Sequence, residues 1–242
     1  MNIVVAIKHI PSVADDLPVK DNNVDFDSVD FVLNEFDEQA LEEAVLAKEA
    51  VGGSVTVERG GELTATSVTL RGSVDNQFGG GIVVNRGTAY LTDVLILDVF
   101  GPISSGIVNN LGTVTMVDGA LLRNQGDVGG AIYNDGEMTL QGTLLSENSG
   151  AMGGAIYNDA GGTLVARGID VSTNTARAGG GIYNIGALTV EGSTIDTNSS
   201  LWGGGGITNG GTAHIIETVI SNNTSSGEGG GVSNFIDDGF DS

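Results

Sequence analysis

The hexapeptide Gly-Gly-Ala-Ile-Tyr-Asn at Gly129 to Asn134 returns in altered form through most of the chain, at intervals of about 25 residues. Related stretches begin at Gly79, Ser104, Gly153, Gly179, Gly204 and Gly229 and close on Asn85, Asn109, Asn158, Asn184, Asn209 and Asn234. A fixed period of this length restricts the chain to stacked repeats. One such unit cannot bury its own apolar face and needs a neighbour on each side.

Two further segments of each repeat alternate in the two-residue rhythm of a β-strand, for which Leu188-Thr189-Val190 is the pattern. Aligned on the glycines, one inward column reads Leu63, Ala89, Val114, Met138, Leu164, Leu188 and Ala213. Its companion reads Ala65, Leu91, Met116, Leu140, Ala166, Val190 and Ile215, and between them Thr64, Tyr90, Thr115, Thr139, Val165, Thr189 and His214 face outward. After a turn comes Leu70, Ile96, Leu121, Leu145, Val171, Ile195 and Ile220, and the opening motif supplies Ile82, Ile107, Ile132, Ile156, Ile182, Ile207 and Val232.

Three short strands per coil predict a mainly β chain, a right-handed parallel β-helix of about seven coils. The handedness follows from the general chirality of parallel connections. Asn124, Asn148, Asn174, Asn198 and Asn223 form a second asparagine column, suited to amide hydrogen bonds along the stack and to left-handed corner backbone. Arg167 is expected beside Glu191, with Asp98, Arg123 and Glu147 in one column.

Composition divides the chain near residue 53. None of its 40 glycines precedes Gly52, and its three lysines, Lys8, Lys20 and Lys48, all do. Residues 1–53 therefore form one unit, 54–236 the β-helix and 237–242 an acidic tail. In the first unit Ile3 to Ile7 reads as a buried strand and Asp15 to Asp30, with Pro18 inside it, as a loop or small hairpin. Asp37 to Ala50 reads as an amphipathic helix with acids at its positive end, and Ser54 to Val57 as a returning strand. This βαβ fragment would cap the open first coil, sharing the strand Val55-Thr56-Val57 with the stack.

Both parts are acidic, and the net charge of -22 excludes a nucleic-acid partner or an anionic lipid surface. With no cysteine, disulfides and thiolate metal sites are excluded as well. Met1 to Ile10 is too short to span a bilayer, and Pro11, Asp15 and Asp16 follow it without a small-residue cleavage site. The sequence thus predicts neither export nor membrane insertion and, as written, a cytoplasmic chain.

Val4-Val5-Ala6-Ile7-Lys8-His9-Ile10-Pro11, then Leu33-Asn34-Glu35-Phe36-Asp37-Glu38-Gln39-Ala40-Leu41-Glu42-Glu43-Ala44 and Lys48-Glu49, resemble the start of the electron transfer flavoprotein β subunit over residues 1–57. Glu35 stands where many members have proline. The resemblance implies AMP approached by Ala6, Asn34, Glu35, Phe36 and Asp37, and FAD-associated electron transfer with an electron transfer flavoprotein α subunit. A phosphate at a helix N-terminus fits that placement. The later strands that enclose the nucleotide in that family are missing here, so a purely structural cap is the competing reading. Residues 60–234, Gly179 to Asn198 above all, resemble the β-helix repeats of polymorphic outer-membrane and related bacterial surface proteins. That resemblance implies a structural or adhesive, exported module. A third reading is an artificial or mispredicted fusion of two segments with no integrated function.

No cluster of acids with a base marks the predicted rod as a polysaccharide lyase or hydrolase: Asp170 and Asp196 fall in different columns, and His9 and His214 make no metal pair. A non-catalytic chain is expected. Asp237, Asp238 and Asp241 offer hard oxygen ligands for Ca2+, without the spacing of a calcium-binding β-roll. Tyr133, Tyr157 and Tyr183 occupy equivalent outward positions on three successive coils. They form either a flat strip for the sugar rings of glycans on host or cell-surface molecules, or a file of rings stacked on one another.

Overall fold

The computed structural model describes residues 3–4, 19–20, 23–24, 55–72, 80–101 and 104–235. The helix expected over Asp37 to Ala50 lies outside them. What is described of the first unit agrees with its reading: Val19–Lys20 and Asn23–Val24 form a small antiparallel hairpin, and Ile3–Val4 pairs in parallel with Val55–Val57. That last strand continues into the stack by pairing with Gly80–Asn85.

From there the chain winds as a parallel β-helix of about seven coils. Its largest sheet has 14 strands and holds both the asparagine motif and the Leu-Thr-Val segments; in places the two join into one long strand, as in Ile132–Gln141. The second sheet has 7 strands, running from Thr69–Arg71 to Val219–Ser221. All three inward columns outside the opening motif stand in the register expected: Leu164 pairs with Leu188, Ala166 with Val190 and Val171 with Ile195. Leu63, Leu91, Ile96, Ile107, Met116, Leu121, Leu140 and Ile156 are all buried in one continuous core. At the last described coil the same columns bring Ile215 and Val232 to the surface. Among the described residues these two are covered by a coil on one side only.

Three expectations need correction. The motif column passes through Val83, not Ile82: Val83 pairs with both Val55 and Ile107, while Asn85 pairs with Asn109. The copy beginning at Gly79 is one residue longer than its neighbours, and the buried asparagine rather than the glycine keeps the register. Secondly, the left-handed corner residues are not the asparagines of the second column but those just before them. Arg123, Glu147, Thr173, Thr197 and Asn222 all have φ between 50° and 58°, as does Asp98 one coil earlier, where Val99 stands in place of the asparagine. Placing an ordinary L-residue there costs about 1–2 kcal/mol, and the turn delivers the following asparagine to the interior. Thirdly, four of the coils carry a strand beyond the three expected. Ser149–Met152, Thr175–Ala178, Ser199–Trp202 and Thr224–Ser225 pair in parallel as a further 4-stranded sheet, preceded by isolated bridges at Gln125 and Val128.

Both asparagine columns are hydrogen-bonded chains. Along the first, each Nδ2 donates to Oδ1 of the next coil, from Asn109 to Asn134 and from Asn134 to Asn158 at 2.7 Å each. The second runs the same way from Asn124 through Asn148, Asn174 and Asn198 to Asn223 at 2.9 to 3.0 Å. Each interior amide also donates to a backbone carbonyl, so a polar group in the core stays satisfied.

Candidate functional site

Outward side chains of a stacked coil fall into columns about 4.8 Å apart along the rod, so surface chemistry here is a matter of which columns meet. On the edge of the second sheet, Asp98 accepts from Arg71 on one side at 2.8 Å and Arg123 on the other at 2.9 Å. Arg123, with Arg71 behind it, holds the Asp98 carboxyl below the usual carboxylate range, and Asp98 in turn raises the Arg123 guanidinium. Arg167 meets Glu191 at 3.1 Å, as their spacing predicts. Asp196 is tied to Thr197, Ser221 and Asn222, which hold it low as well. Asp170 pairs with Thr194 and Ser172 with Asp196, so those two acids do stand in different columns.

Tyr133, Tyr157 and Tyr183 are brought together on successive strands. Their rings stack nearly parallel, with centroids 5.8 and 5.4 Å apart, and Phe235 follows Tyr183 at 5.9 Å. Tyr157, with a ring on each side, is buried. The Tyr133 hydroxyl donates to Asp159. Burial, reinforced by Asp159, lifts the Tyr133 phenol far above its usual range, and burial pushes Tyr157 up to about 12. The aromatic faces are thus largely turned on one another.

The 4-stranded sheet carries a different feature, an open trough of about 370 Å3. One wall is the column Gln125, Ser149 and Thr175; the other is Asp127, Ala151, Arg177 and Leu201. The floor between them is the backbone of Gly126, Gly150 and Ala176. Sequence reading missed this site because its strands show no apolar alternation. The one available trace was a small residue at each floor position, Gly126, Gly150, Ala176 and Ser200, recurring with the coil period. Leu201 stands exposed at the trough's C-terminal end, and the next residue, Trp202, opposite Ala178, is exposed as well.

Ala6, Asn34, Glu35, Phe36 and Asp37, the residues the flavoprotein resemblance assigns to AMP, lie outside the described residues, as do Asp237, Asp238 and Asp241. Among the described residues, no three His, Asp or Glu side chains gather as a metal site requires, and no helix is long and apolar enough to cross a membrane. No family model, curated protein or solved structure matches this chain.

Proposed function

We propose that the chain is a non-catalytic β-helix module with a structural or adhesive role, of the kind carried by bacterial surface proteins. The observation that carries this reading is the stack itself. The coils share one apolar core and one amide chain, with a second amide chain from Asn124 onward, which makes a stiff rod whose long outer columns are free to vary without disturbing the fold. Acid catalysis by a carboxyl requires a raised pKa. Among the described residues, Asp98 and Asp196 are shifted the other way, Asp98 by arginines of the adjacent coils and Asp196 first by Thr197 beside it and then by Ser221 and Asn222 of the next coil. Partners of this rod are glycans or other cell-surface molecules.

Beads coated with the chain are expected to attach to bacterial or epithelial cells above beads coated with an inert acidic protein. Plant and bacterial polysaccharides incubated with the chain are expected to gain no reducing or unsaturated ends. Attachment at the control level sinks the adhesive reading, and new chain ends sink the non-catalytic one.

A second reading, AMP-associated electron transfer from residues 1–57, is favoured by the parallel pairing of Ile3 with Val55 and Val4 with Thr56, as a βαβ unit would give. Calorimetric titration with AMP decides it: micromolar binding supports it, and absence of heat removes it.

A further inference from the structure

We propose that the trough on the 4-stranded sheet binds a neutral oligosaccharide laid along the rod axis, in a notch opened by Ala151 between Asp127 and Arg177. This rests on the adhesive reading and gives it a place and a ligand class.

The walls of the trough are two residues apart along each strand, which separates them by roughly 6.6 Å, while Asp127 and Arg177 sit two coils apart, about 9.6 Å between backbones. The alanine methyl of Ala151 is all that stands between those two side chains, since Ala151 is the neighbour of Asp127 on one coil and of Arg177 on the next. Gly126, Gly150 and Ala176 keep the floor low enough for a ring to approach the backbone.

The hydrogen-bonding character of the walls selects the ligand. Arg71, Arg86, Arg123 and Arg167 are each held by a carboxylate. Arg177 has no carboxylate at ion-pair distance among the described residues, and neither Arg177 nor Asp127 is engaged by another side chain there. A guanidinium only donates and an ionised carboxylate only accepts. A hydroxyl does both, so a polyol can satisfy the two ends, and the Gln125 amide with the Ser149 and Thr175 hydroxyls that follow it along the other wall, in one orientation or its reverse. An anionic chain would leave Asp127 opposed and would meet the field of a protein of net charge -22. A cation would meet Arg177. Leu201, 51% exposed, closes the Asp127–Ala151–Arg177 wall with an apolar surface against which the C–H face of a sugar ring packs. The tyrosine file lacks this property, because its ring faces are spent on one another.

Calorimetric titration of the full chain with cellohexaose, chitohexaose and maltohexaose, beside hexagalacturonate as the anionic counterpart, tests the proposal. At least one neutral hexasaccharide is expected to bind, and Arg177→Ala or the notch-filling Ala151→Leu to weaken it about tenfold or more, with circular-dichroism melts unchanged. Three results overturn it: no neutral hexasaccharide binds, hexagalacturonate binds as well or better, or both variants bind like the parent. Cell attachment of coated beads that survives both substitutions overturns the trough while leaving the adhesive reading standing; loss of all attachment by the parent chain overturns the adhesive reading itself.

Discussion

Replacing Asn148 by alanine isolates what an interior amide contributes. Asn148 is fully buried; its Nδ2 donates to the Leu121 carbonyl at 2.9 Å and to Asn174 Oδ1 at 3.0 Å, and its Oδ1 accepts both the backbone N–H and the side-chain amide of Asn124, at 2.9 and 3.0 Å. The substitution leaves two buried donors on Asn124 without an acceptor and the Leu121 carbonyl without one donor. At about 1–3 kcal/mol for each of these three orphaned groups, the loss is roughly 3–9 kcal/mol. Asn223 plays the same part toward Asn198 but is half-buried at the last described coils, where water can replace the lost acceptor. Asn223→Ala should therefore cost about 1 kcal/mol. Urea unfolding followed by circular dichroism measures both, and amide exchange at Asn124 separates local opening from global unfolding in a stack whose coils need not melt together. A loss below about 1 kcal/mol for Asn148→Ala, or equal losses at the two positions, would refute the argument that burial sets the cost.

Glycines in the stack serve two different needs, and substitution should separate them. A Cβ on Gly154 would lie 2.1 Å from the Gly180 carbonyl oxygen of the next coil, so Gly154→Ala is expected to force the coils apart and lower the thermal midpoint by several degrees or more; Gly168, with open space around its Cβ position and the same left-handed φ that Asp93, Asp118 and Glu217 adopt, should accept asparagine with a change under about 1 kcal/mol. Because Arg123 and Arg71 depress the Asp98 carboxyl in the folded chain, its stabilising contribution is present above the unfolded pKa and disappears as pH falls through the folded one. Asp98→Asn should be the less stable protein at neutral pH and converge with the parent once pH falls below the ordinary carboxylate range, read from urea midpoints across an acid titration. Tyr157 works in the opposite sense: a folded phenol pushed up to about 12 from a usual 10.0 contributes stability below the lower value that is lost as pH rises toward the upper. Tyr157→Phe should resist alkaline unfolding better than the parent, and an unchanged alkaline midpoint would remove that role for the phenol.

The stack was legible in the residues because its determinants are local and periodic. Alternation marks Leu164, Ala166 and Leu188 as inward, and the spacing of the amides places Asn148 over Asn174 and Arg167 beside Glu191, whatever the rest of the chain does. Tertiary packing decided the remainder. Whether Val83 or Ile82 joins the motif column depends on which residue a buried asparagine must align, and a longer repeat offers both. Stacking of Tyr157 between its neighbours, and the capture of Asp98 by Arg71 as well as Arg123, arise only when successive coils reach their final separation. The 4-stranded sheet is the clearest case. Ser149–Met152 and Thr175–Ala178 have neither alternation nor strand propensity, and become strands because the corners on either side deliver their backbones into hydrogen-bonding register. That sheet carries the trough, which therefore depends on packing that no local pattern in its own residues announces.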